Sequence, residues 1–125
     1  MNNLDIFICA HKLFEKRVFN ESYKILSVGK NTELYGNDII RDDDGINCSE
    51  MNNFYSELSG YYWIWKNYSI KDYIGFCHYR RYFDFMDNIP NVDEIFKEYD
   101  IILPSKKKLV LQYIINISNV IILMI

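Results

Sequence analysis

The stretch Tyr73-Ile74-Gly75-Phe76-Cys77-His78-Tyr79-Arg80-Arg81-Tyr82-Phe83 constrains the fold of this chain most. A short apolar run stops abruptly in a histidine and two adjacent arginines. The run reads as a buried strand, and in an open α/β sheet ligands bind in the crevice outside the carboxyl ends of the strands. Cations placed there suggest an anionic ligand, most simply a phosphate or diphosphate.

Other segments fit the same frame. Leu4 to Ala10 is a compact apolar run with β-branched and aromatic members, a second buried strand ending at His11-Lys12. Leu13 to Arg17 reads as a short helical turn. Tyr23 to Val28 is a strand closed by Gly29, and Ile101 to Leu103 is another, ended by Pro104. Phe54, Leu58, Tyr61, Tyr62 and Trp65 fall at i, i+4, i+7, i+8 and i+11, which predicts one buried face of a helix. Asn52 or Asn53 caps it and Asn67 stops it. Trp63 and Trp65 read as core residues. Asn91 with Glu94 three positions later resembles a capping box, and Val92, Ile95, Phe96 and Tyr99 give a second amphipathic helix. Strands alternating with helices predict an α/β fold with a mostly parallel sheet.

Composition sets the limits. The 125 residues fit one domain, and half of them are apolar, enough for a packed core. A net charge of -3 argues against general nucleic-acid binding, which needs a basic face. Cys9, Cys48 and Cys77 are an odd, sparse set that does not read as a disulfide framework, so a reducing cytoplasm is expected. The first residues lack the basic start and apolar core of a signal peptide. Lys106-Lys107-Lys108 leads into Leu109 to Ile125, which carries no charge. That tail is shorter than the about 20 residues of a membrane span, and Gln112, Asn116, Ser118 and Asn119 interrupt it. A buried strand pair, a helix and a sequence foreign to the fold all remain open for it.

Several residues carry chemistry. Arginine offers a planar fork that binds phosphate bidentately, so His78, Arg80 and Arg81 form the first candidate anion site. The bland alternative pairs the arginines with Asp84, Asp87 or the acidic loop. His11 and Lys12 hold the equivalent place after the first strand, where Lys12 can neutralise a phosphate and His11 can meet a base or sugar; a solvated loop is the alternative. Asp42-Asp43-Asp44-Gly45 offers clustered carboxylates to a hard cation, although Asp-Gly more often marks a solvated turn. Glu57 can accept hydrogen bonds from a sugar or a protein partner, or stand exposed on its helix. Cys9 and Cys77 read as buried inert thiols rather than as zinc ligands with His11 and His78, because structural zinc sites have tighter ligand pairs.

Four segments together resemble a known family. They are Phe7-Ile8-Cys9-Ala10-His11-Lys12, Asn53 through Asn67 with its Glu-Leu-x-Gly-x-Tyr-Trp-x-Trp-Lys-Asn block, Asp72 through Phe83, and Tyr99-Asp100-Ile101-Ile102-Leu103-Pro104. The chain from Leu4 to about Lys107 is similar to the DUF4422 family, glycosyltransferase-like proteins of bacterial capsule and exopolysaccharide gene clusters. The resemblance implies a GT-A-like (Rossmann-like) α/β fold in which the first strand's end meets the nucleotide. It also implies a donor nucleoside diphosphate sugar, UDP above all, and a hydroxyl of a polysaccharide or lipid-linked acceptor. Folds of this type commonly end a later strand in Asp-x-Asp, which holds Mn or Mg on the diphosphate. Here that strand ends in His78-Tyr79-Arg80-Arg81, so these cations are expected to take the metal's charge-neutralising role. Deprotonating the acceptor needs a general base, for which Glu57 and Asp44 are the candidates.

Family members continue beyond the Ile101 strand, so residues 1–108 read as the amino-terminal part of the nucleotide-sugar domain. Residues 109–125 then read as a non-native continuation of a truncated chain. Two other functions compete with the sugar transferase. One is a nucleotide- or sugar-binding remnant without turnover. The other is a peripheral module at the inner membrane face, anchored by Lys106-Lys107-Lys108 and the apolar tail.

Overall fold

A computed structural model describes residues 3–30, 33, 34, 36–103 and, as backbone, 121–124. Pro104, the Lys106-Lys107-Lys108 run and Leu109 to Val120 lie outside the described residues. Strand β1 (Leu4–Ala10) is buried along its whole length. It pairs in parallel with β2 (Tyr23–Ser27) on one side and with β4 (Tyr73–His78) on the other. A continuous apolar run suits this position, because a central parallel strand is covered on both faces. Side chains alternate across it. Leu4, Ile6, Ile8 and Ala10 face a core with Val18, Tyr23, Phe83, Val92 and Phe96. Phe7 and Cys9 face the other core, with Leu26, Val28, Ile64 and Phe76. Each buried Leu, Ile, Val or Phe among them contributes about 1.5–3 kcal/mol.

The full strand order is β3-β2-β1-β4-β6-β5. Strand β3 (Ile39–Arg41) pairs in parallel with β2 at the edge. It falls inside the polar stretch between Lys30 and Asn52, where composition predicts only loop. Three half-buried residues are too short a signal to stand out, and pairing with β2 defines the strand. At the other edge β6 (Ile121–Met124) runs antiparallel between β4 and β5 (Ile101–Ile102). Residues 121–124 of the apolar tail, whose place is open in the sequence, therefore form a strand of the sheet between β4 and β5.

The spacing predicts one helix from Asn52 or Asn53 to Asn67 with Phe54, Leu58, Tyr61, Tyr62 and Trp65 inward. The structure corrects both points. A 3-10 turn (Ser49–Met51) leads into α1 (Asn52–Tyr55), which breaks at Ser56 before α2 (Leu58–Asn67) begins. The buried residues of α2 are Ser59, Gly60 and Ile64. Phe54 and Trp65 are 79% and 66% exposed, and Leu58 is exposed too. Small residues win the inner face because the helix lies very close to the sheet: a Cβ on Gly60 would stand 2.6 Å from Val28 Cγ1. Tyr61 and the half-buried Trp63 pack at the margins of that contact.

Leu13 to Arg17 forms no helical turn; the segment runs irregularly and drops Phe14 and Val18 into the core. The Asn91 cap is as the sequence predicts, its side chain accepting from the Glu94 N–H at 3.3 Å ahead of α3 (Val92–Ile95). Val92 and Phe96 are buried behind it, whereas Tyr99 is exposed. At the amino-terminal end of the sheet, buried Asp5 of β1 meets Lys24 and Lys71 at 3.2 and 3.0 Å and accepts from the Tyr68 hydroxyl at 3.1 Å. This cluster lies in the half of the molecule away from the candidate site.

Candidate functional site

Because β1, β2 and β4 are parallel, their carboxyl ends share one edge, the edge where open α/β sheets bind ligands. Two depressions open there. One, of about 230 Å³, is lined by Glu57, Tyr61, Cys77, His78, Arg80 and Arg81. The other, of about 520 Å³, is lined by His11, Val28, Gly29, Lys30 and residues of the 3-10 turn and α1, including Ser49, Glu50, Asn52 and Asn53.

Tyr79 ties the strand ends together. Its backbone N–H donates to the Cys9 carbonyl at 3.1 Å, extending the β1–β4 pairing past His78. Its buried ring lies 5.5 Å from the His11 ring and 4.2 Å from the His78 ring. Lys12 Nζ stands 5.9 Å from the ring centroid, and the Arg80 guanidinium 5.2 Å. Arg80 also donates to the Tyr79 hydroxyl from Nε at 3.1 Å and from Nη2 at 2.9 Å. Cation–π contacts of this kind hold positive charge at the surface without neutralising it. The side chains of His11, Lys12, His78 and Arg80 are thus gathered around one phenol, which the sequence alone did not single out. Asp87, a candidate partner of the arginines, instead accepts from the backbone N–H groups of Phe19 and Asn20 at 2.6 and 2.7 Å.

Glu57 reaches the first depression through a local distortion. Ser56 has φ +50° and ψ -131°, a conformation that costs a side-chain-bearing residue about 1–3 kcal/mol. Its carbonyl accepts from Asn52 Nδ2 at 2.7 Å, and its N–H donates to the Asn52 carbonyl at 2.8 Å. The kink ends α1, and Glu57 then begins α2 with Oε1 3.6 Å from Nε2 of His78. Burial holds the His78 pKa below its ordinary value; Glu57 raises it, and Arg81, Arg80 and His11 lower it. His78 is therefore neutral near pH 7, and the permanent charge of this depression rests on the arginines.

The acidic loop goes three ways. Asp42 is fully buried and accepts from the Gly29 N–H at 2.9 Å, the Ser49 hydroxyl at 2.8 Å and the Ser59 hydroxyl at 2.7 Å. Asp43 takes a two-pronged bond from Arg41, at 3.1 and 2.5 Å, and that hydrogen bond holds its carboxyl below the usual range. Asp44 accepts from the Trp63 indole at 2.9 Å and lines neither depression. Carboxylates so dispersed do not fit a shared divalent ion, and among the described residues no three His, Cys, Asp or Glu side chains converge to hold a metal. Asp42 is instead a buried pin between the β2–loop junction and α2. Cys9 and Cys77 are buried free thiols, and burial pushes the Cys77 pKa up to about 12 and that of Cys9 well above its usual value. Such thiols are poor nucleophiles and poor metal ligands. Among the described residues no helix is long and apolar enough to cross a membrane.

The fold is of the α/β class and is shared with a glycosyltransferase. The WbbM bifunctional glycosyltransferase, solved in its apo form, is similar to this chain with a TM-score of 0.65 and 30% identity over 83% of the chain. The chain spans only 23% of that protein's length. The chain belongs to the family described as Domain of unknown function (DUF4422), whose profile matches residues 5–121. No curated protein matches it.

Proposed function

We propose that this domain binds the donor in a sugar transferase of GT-A type, moving a sugar from a nucleoside diphosphate, UDP above all, to a hydroxyl of a surface polysaccharide or its lipid-linked precursor in the cytoplasm. The observation that carries this reading is the convergence of Glu57, His78, Arg80 and Arg81 on one depression, beside His11 and Lys12. The likeness to a bifunctional glycosyltransferase supports the same class of chemistry.

In this reading Arg80 and Arg81 face the diphosphate. Charge builds on the departing phosphate oxygen as the glycosidic bond breaks, and fixed donors that need no reorganisation stabilise it there. Lys12, 5.9 Å from the Tyr79 ring centroid, adds charge along the same edge, and His11 borders the larger depression, which in this reading takes the nucleoside. Glu57 serves as the base. The acceptor O–H proton passes to its carboxylate, the acceptor oxygen bonds the anomeric carbon, and the bond from that carbon to the diphosphate oxygen breaks with its electron pair leaving on oxygen. Asp44, the other candidate base, is occupied by Trp63.

The test is a thermal-shift panel of the chain with UDP, GDP, CDP and their sugars, with and without manganese. One nucleotide is expected to raise the melting temperature, since a ligand that binds only the folded state stabilises it. The rise is expected without manganese. A cooperative melt that no nucleotide moves would overturn the reading.

A further inference from the structure

The two ring nitrogens of His78 face different groups, a backbone donor against Nδ1 and a carboxylate just beyond hydrogen-bond distance of Nε2. The backbone N–H of Arg80 donates to Nδ1 at 3.2 Å. A backbone amide can only donate, so Nδ1 must carry a lone pair, and the single proton of the neutral ring is left on Nε2. That proton points to the side of the ring where Glu57 Oε1 lies 3.6 Å away. The same residue also closes the turn that carries the arginines. The Arg81 N–H donates to the His78 carbonyl at 2.8 Å, and the His78 N–H donates to the Arg81 carbonyl at 3.3 Å.

We propose that His78 is a neutral latch, a positioning residue that orients Glu57 through Nε2–H and holds the Arg80 turn through Nδ1, so that acid disarms the site by protonating Nδ1. This rests on the transferase reading only in naming Glu57 as base and Arg80 as diphosphate ligand. Protonation at Nδ1 would set an N–H against the Arg80 N–H and break that bond. It would also convert the contact with Glu57 into an ion pair, leaving the carboxylate a weaker base. The charged and titratable groups facing the imidazole are Glu57 at the start of α2, Tyr61 within α2, Cys77 on β4, Tyr79, Arg80 and Arg81 beyond β4, and His11 beyond β1. Among them Glu57 favours the imidazolium, while Arg80, Arg81 and His11 oppose it.

The latch and a phosphate-binding histidine predict opposite signs. If His78 neutralised the diphosphate itself, donor affinity would rise as the ring gains its proton. If it is a latch, affinity falls.

The chain has two histidines, so both rings can be read together in two-bond ¹H–¹⁵N correlation spectra. In ¹⁵N-labelled protein titrated from about pH 8 to about pH 5, His78 is expected as a single Nε2–H tautomer that titrates below the ordinary imidazole value. The Glu57→Gln variant should lower that titration further. An Nδ1–H tautomer, or a titration that Glu57→Gln leaves unmoved, would overturn the latch. The second arm is calorimetry with UDP-glucose and GDP-mannose, whose diphosphates stay fully charged over this range. Affinity should weaken about fivefold on acidification, the scale of one hydrogen bond. His78→Asn, which keeps an acceptor near the Nδ1 position and does not titrate, should lose this fivefold weakening. Affinity that rises in acid, or the same profile in both proteins, would overturn the proposal. If neither sugar nucleotide binds at any pH, the transferase reading fails, and the tautomer and the Glu57→Gln response then decide the latch alone.

Discussion

The Ser59 hydroxyl donates to Oδ2 of the buried Asp42 at 2.7 Å. This bond joins α2 to the loop that follows β3, and Asn52 Nδ2 continues the chain by donating to Ser59 Oγ at 3.0 Å. Asn52 in turn holds Ser56, the residue whose kink positions Glu57. A buried carboxylate thus supports the candidate base through the Ser59 and Asn52 side chains and the Ser56 backbone carbonyl. The Asp42→Ala variant strands the Gly29 N–H and the Ser49 hydroxyl and leaves Ser59 Oγ with only the Ser56 carbonyl at 3.2 Å, and is expected to lose about 3 kcal/mol of stability in urea denaturation. A loss under about 1 kcal/mol would mean that water replaces the carboxylate without cost.

Gly60 makes a sharper test of the helix–sheet contact. An alanine ordinarily gains about 1 kcal/mol over glycine inside a helix. Here its Cβ would meet Val28 Cγ1 at 2.6 Å and Leu26 Cδ2 at 2.9 Å. Overpacking of this kind costs about 1–3 kcal/mol, so Gly60→Ala should lower the melting temperature despite the better helix propensity. A higher melting temperature would show that α2 can lift off the sheet freely.

The arginines are tested one at a time. Charge-assisted hydrogen bonds contribute about 1.5–3 kcal/mol each, so Arg80→Ala or Arg81→Ala should weaken binding of the nucleotide found by thermal shift by about tenfold or more. The salt dependence of binding should shrink at the same time. Unaltered affinity in both variants would remove these side chains from the donor site.

The stability of the fold should carry the mark of His78. Its pKa is lowered in the folded state from 6.5, chiefly by burial. The unfolded chain therefore binds more protons just below that value, and stability rises with pH there. The contribution is present above the unfolded pKa and is lost as pH falls through the folded one. Urea denaturation from about pH 7 to about pH 5 should show this slope in the parent chain and a smaller one in His78→Asn. Identical slopes would mean that the ring titrates normally.

The central sheet was legible in the sequence because its signal is local. Leu4–Ala10 and Tyr73–His78 are unbroken apolar runs, and such runs have few places to go but between two covered faces. The Asn91 cap was equally legible, since donor and acceptor lie three residues apart. The strand-end cations followed from the same runs, as their position is fixed by where each strand stops. The family followed from its motifs, and the profile match over residues 5–121 agrees with it.

Other features depended on residues far apart in the chain. The aromatic stripe from Phe54 to Trp65 has helical spacing, yet α2 turns Ser59, Gly60 and Ile64 to the sheet, because the contact at Gly60 leaves no room even for a Cβ and so selects by size rather than by apolarity. β3 exists because Ile39–Arg41 finds the edge of β2, and its own composition gives no strand signal. Asp42 looks like a solvated loop carboxylate until three donors close around it. Glu57 and His78 meet only because a strained Ser56 ends α1 just before Glu57. The sequence by itself determined which segments had to be buried and where positive charge had to emerge, since both follow from neighbouring residues. Only the tertiary structure decided which helix face is inward, which carboxylate is buried and which one faces the histidine, because those outcomes turn on the distance of closest approach between elements.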